Sequence, residues 1–98
     1  MELYAIWRRR ESGWKDGEPI EAQADWAGHA AFMMKGAADG VVVLAGPIDD
    51  TGALIVVRGE SPGAVEAWLA DDPWTASRLL VTERIARWQL RIGALPAA

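Results

Sequence analysis

Along residues 2–8, apolar side chains fall on both sides of a period-two pattern: Leu3, Ala5 and Trp7 on one, Tyr4 and Ile6 on the other. A strand apolar on both faces belongs at the centre of a sheet. Residues 10–19 hold Gly13, Gly17 and Pro19 and read as a loop. The period then changes. Over 19–38, Ala22, Trp26, Ala30, Met33 and Ala37 recur at spacings of three and four, which predicts one long helix. Pro19 suits its first turn, Glu18 and Glu21 suit its positive end, and Asp39-Gly40 ends it.

The β-branched run 41–45 predicts a strand, and 53–57 its hairpin partner, with the turn cluster 46–52 between them. Ser61-Pro62 opens a second helix, serine as cap and proline at the first helical position. Ala64, Val65, Ala67, Trp68 and Leu69 give it an apolar stripe, and it stops near Asp71-Asp72-Pro73. A short turn or helix at 73–79 leads to a last strand near 80–92, where Ala86, Trp88, Leu90 and Ile92 alternate with Arg87, Gln89 and Arg91. The order is β-α-β-β-α-β. With right-handed crossovers this predicts a ferredoxin-like plait, an α+β fold with two helices on one face of a four-stranded antiparallel sheet. The hairpin strands are apolar throughout, so the second face of the sheet needs a cover. A second copy packed sheet on sheet is the simplest one, which predicts a homodimer.

The length of 98 residues fits one domain spanning 1–98. The chain has no cysteine, which excludes a disulfide framework and a thiolate metal site. It opens straight into a strand pattern without a basic-then-apolar leader, and no apolar run approaches a membrane span. A cytoplasmic protein without a membrane partner is the expectation. The net charge of −4 argues against a nucleic-acid partner. Arg8-Arg9-Arg10 is read as a solvated strand end.

The candidate chemistry centres on the single histidine, His29. It lies in the first helix beside Trp26 and Met33 of the apolar stripe. It is either a general base or acid, or a histidine bonded to Asp25 one turn earlier. Asp72, ahead of Pro73, is a good cap for a short helix and is also placed to orient and charge His29. The loop Gly46-Pro47-Ile48-Asp49-Asp50 is turn chemistry that can also line a pocket mouth. Asp50-Thr51-Gly52-Ala53 carries the triplet of retroviral-type aspartic proteases, but two well-marked helices exclude that all-strand fold. One histidine and scattered carboxylates match no metal-ligand spacing, and no Gly-rich phosphate signature is present. The six tryptophans are core and dimer material, of which Trp26, Trp68 and Trp74 suit the walls of an aromatic-sized pocket.

Together these landmarks resemble the YCII-related family, a group of dimeric α+β-barrel proteins. The resemblance rests on Leu3-Tyr4-Ala5-Ile6, His29, Gly40, Val43-Leu44-Ala45-Gly46-Pro47, Gly52 and Ala67-Trp68-Leu69-Ala70-Asp71-Asp72-Pro73-Trp74. It covers nearly the whole chain, 10–19 least. It implies a ferredoxin-like fold, a dimer and a pocket around a histidine–aspartate pair. That pair is His29 with Asp72, or with Asp50 as second candidate. The pocket lining is then Trp26, Met33, Gly46, Pro47, Asp50, Pro73 and Trp74. Ala27-Gly28-His29-Ala30-Ala31 replaces a bulkier, more charged pattern and alters the wall beside His29. The expected activity is that of a small lyase- or isomerase-like enzyme without cofactor or metal, moving a proton on a small cyclic compound. The alternatives are a non-catalytic ligand-binding or accessory module, and a haem protein with His29 as axial ligand.

Overall fold

The computed structural model describes residues 1–95. Four strands form one antiparallel sheet: β1 (Glu2–Arg10), β2 (Val42–Ile48), β3 (Gly52–Gly59) and β4 (Leu80–Arg87), in the spatial order β2-β3-β1-β4. The doubly apolar β1 is central, paired with β3 on one side and β4 on the other. Helices α1 (Trp26–Ala38) and α2 (Pro62–Ala70) follow β1 and β3, and a short α3 (Pro73–Ala76) precedes β4. This is the ferredoxin-like α+β plait, with its strand order and its helices on one face.

Alternation along the strands divides the two faces. Tyr4, Ile6, Ile55 and Val57 point toward the helices and close a core with Val65 and Leu69 of α2. Gly36 brings α1 against this core: a Cβ there would lie 2.9 Å from both Trp68 and Val42. A second cluster of Trp74, Leu79 and Leu80, with Trp14, Ile20 and Trp26 against it, fills the end of the sheet where the site lies. On the other face, Val56 and Ala5 are buried, but Trp7, Leu44 and Trp88 stay 37 %, 51 % and 45 % exposed.

The boundaries differ most from the sequence pattern at three places. The first helix begins at Trp26, not at 19. Ile20–Ala22 form a single 3-10 turn, and Gln23 is spent bonding the preceding loop. The inward stripe is accordingly Trp26, His29, Met33 and Gly36, of which His29 and Gly36 are buried and Trp26 and Met33 half-buried, while Ala22 and Ala37 are exposed. β2 continues through Pro47 to Ile48, shortening the turn, because Pro47 and Ile48 still pair with Ala53 and Gly52. β4 stops at Arg87 instead of running to 92. Its partner β1 begins at Glu2, so beyond Trp88, whose N–H donates to the Leu3 carbonyl, no strand remains to pair with.

Candidate active site

His29 is in the first turn of α1, where Asp25 caps the helix. The Asp25 backbone is left-handed (φ 52°) and its carboxylate accepts from the Gly28 N–H. Gly28 makes room for this cap, since a Cβ there would lie 2.6 Å from the carboxylate. Asp25 is thus spent on the helix end and touches His29 only through its backbone carbonyl. The imidazole instead turns inward toward Asp72.

Asp72 performs two tasks with one carboxylate. As cap of α3 it accepts from the Trp74 N–H at 3.0 Å, and it meets His29 Nδ1 at 2.9 and 3.0 Å. Its side chain is wholly buried, and the ring of His29 is nearly so. Burial opposes ionisation of Asp72. The hydrogen bond from His29, the N–H of Trp74, and the charges of His29 and Arg8 outweigh it and hold the carboxyl below its ordinary value. An ionised carboxylate only accepts, so Nδ1 carries the hydrogen of this bond. Nε2, the opposite nitrogen, has no protein partner among the described residues, and His29 lines the cavity described below.

The third member comes from Arg8-Arg9-Arg10, which the sequence pattern reads as a solvated strand end. Arg8, 2 % exposed, reaches from β1 beneath the helices and donates from Nη1 to Asp72 Oδ2 at 2.8 Å. Its Nη2 donates to Thr75 Oγ1 and the Leu80 carbonyl at 2.7 and 3.2 Å, while Nε is buried without a partner. Burial lowers the guanidinium's affinity for its proton, and attraction to Asp72 opposes this. The signal was present in the alternation: Arg8 ends the strand pattern 2–8 and shares the parity of Tyr4 and Ile6, which puts it inside. Arg9 alone fits a solvated strand end.

Beside this triad lies a cavity of about 220 Å³. Trp74 stacks on His29 with ring centres 3.9 Å apart and planes 4° off parallel. Trp14 meets Trp74 edge to face at 5.6 Å, and Trp26 lies 5.9 Å from Trp74. The Trp74 indole N–H donates to the Ala24 carbonyl at 2.6 Å, which fixes its plane. Met33, Gly46 and Pro47 also line the cavity. Asp50 and Pro73 do not. Asp50 is exposed on the hairpin turn, with only its carbonyl taken by Arg10, and Pro73 is the first residue of α3. Trp68 packs instead on Phe32, at 4.7 Å. Trp14, Ile20 and Arg10 complete the wall from a stretch the sequence pattern marked only as loop and strand end. Among the described residues, no helix is long and apolar enough to cross a membrane.

No family model and no curated protein matches the chain. Among solved structures, the fold is similar to that of 5-chloro-2-hydroxyhydroquinone dehydrochlorinase (TftG) from Burkholderia phenoliruptrix AC1100, in its complex with 2,5-dihydroxybenzoquinone. The TM-score is 0.66 at 24 % identity, over 89 % of this chain and 93 % of that one. At this identity the likeness establishes the fold.

Proposed function

We propose that the protein is a small cytoplasmic enzyme of the YCII-related type in which His29 moves a proton on a small cyclic compound, without cofactor. One observation carries this: an imidazole tied through Nδ1 to a buried, ionised aspartate at 2.9 Å, with Nε2 left for an apolar cavity. Carboxylate partners of catalytic histidines fix the tautomer and stabilise the cation. Here Nε2 accepts a proton from a ring C–H or O–H, and Asp72 balances the imidazolium that forms. The released electron pair makes a new double bond, either as a leaving group departs with its own pair or as His29 returns the proton elsewhere on the ring. Those outcomes are a lyase and an isomerase. The similarly folded dehydrochlorinase, crystallised with a six-membered dihydroxyquinone, supports a ring compound as ligand. The apolar outer face bearing Trp7, Leu44 and Trp88 supports a homodimer formed sheet to sheet.

The test is turnover of small cyclic hydroxyl and carbonyl compounds, beginning with chloride release from 5-chloro-2-hydroxyhydroquinone. Turnover by wild type should fall at least about a hundredfold in His29→Ala, the share of a lost general base. The variant should stay folded, with a stability change of about 1 kcal/mol. A His29→Ala protein that unfolds, yet binds 2,5-dihydroxybenzoquinone normally in its folded fraction, makes His29 structural and the protein a binding module.

A further inference from the structure

Arg10 closes β1 at the rim of the cavity and is, among the described residues, the only formally charged side chain in its wall. Its guanidinium lies over the Trp14 ring, 4.3 Å from the centroid. Nη1 donates to the Asp50 carbonyl at 2.8 Å. Among the described residues no carboxylate lies within 4.0 Å of it, whereas Arg8, Arg9, Arg78 and Arg87 each have one. An arginine held by an aromatic face and a carbonyl keeps its fork fixed and its charge uncompensated. The edge formed by Nε and Nη2 has no protein partner among these residues, and that edge matches the two oxygens of a carboxylate. The rest of the wall is almost wholly apolar and carries no acid to repel an anion. Size limits the guest further. A cavity of about 150 Å³ admits benzene, so 220 Å³ takes one ring with a small substituent.

We infer that the cavity selects single-ring carboxylates, the ring lying among the tryptophans beside His29 and the carboxylate taken by the Nε–Nη2 edge of Arg10. This names the ligand class for the proposed enzyme. It rests on the cavity being the ligand site, and not on His29 being catalytic. Arg10 is then a specificity residue that turns the ring toward Nε2.

Calorimetric titration with benzoate and with benzamide, its uncharged isostere, tests this on the intact protein. Wild type should bind benzoate at least about tenfold more tightly, a difference of ~1.4 kcal/mol. The preference should shrink with added salt. It should vanish in Arg10→Gln and weaken in Arg10→Lys, which keeps the charge but loses the fork. In His29→Gln the ratio of the two affinities should persist, which separates failure of the anion site from failure of the proton-transfer role. Equal binding of the two compounds by wild type, no saturable binding of benzoate, or a full preference in folded Arg10→Gln each overturns it.

Discussion

Arg8, Arg9 and Arg10 follow one another in the chain and meet three different environments. Arg9 is solvated, Arg10 stands at the cavity rim, and Arg8 is buried against Asp72. Burying Arg8 and Asp72 costs several kcal/mol per ion, offset only because each charge is paired and further hydrogen-bonded. With Arg8 charged and Asp72 ionised, the cluster is neutral when His29 is neutral and gains one positive charge when Nε2 takes a proton. Asp72→Asn keeps the shape but removes the charge facing Arg8, and should cost about 3–5 kcal/mol by chemical denaturation. The carboxyl of Asp72 is held below its ordinary value in the folded state. Its contribution is therefore complete above the unfolded value of about 3.9 and is lost as pH falls through the lower folded value. Below about pH 4 the stability gap between wild type and Asp72→Asn should narrow as the carboxyl takes its proton. A gap that does not narrow on further acidification contradicts an ionised Asp72.

At the scale of elements, the segment between β1 and α1 shapes the cavity. Gln23 is buried and holds this segment closed. Its Oε1 accepts from the Lys15 N–H at 2.8 Å, and its Nε2 donates to the carbonyls of Lys15 and Glu18 at 2.9 and 3.2 Å. Gln23→Ala leaves these backbone groups unpaired, at about 1–3 kcal/mol. Amide exchange should quicken across 11–25 while the sheet stays protected. Uniform loosening of the sheet contradicts a local clamp. The sequence pattern ran α1 back through Gln23 because Pro19, Glu18 and Glu21 form a plausible helix start. The true cap, Asp25, adopts a left-handed backbone that a hydrophobic period does not register. The second helix was legible to the residue, since Ser61 caps it through the Ala64 N–H and Pro62 begins it.

At the scale of the molecule, the plait was legible because the period switches from two to 3.6 and back in the right order. Arg8 was not, since polar residues at a strand end are usually solvated, although its parity with Tyr4 and Ile6 points it inward. The contact between His29 and Asp72 joins residues 43 positions apart, and local patterns specify no such distance. The outer face carries the proposed dimer. Leu44, half exposed there, is the residue to change, because a charge at it is solvated in a monomer and buried in a sheet-to-sheet pair. Sedimentation should show a wild-type dimer and a folded Leu44→Glu monomer. A monomeric wild type at micromolar concentration contradicts the pairing.

The arrangement of His29 admits a direct measurement that needs no substrate. Long-range proton–nitrogen NMR of the folded protein, at a pH where the imidazole is neutral, reports which ring nitrogen carries the hydrogen. The predicted spectrum has Nδ1 protonated toward Asp72 and Nε2 bare, and Asp72→Asn disturbs this tautomer. A neutral ring protonated on Nε2 leaves no base facing the cavity and contradicts the proposed proton transfer.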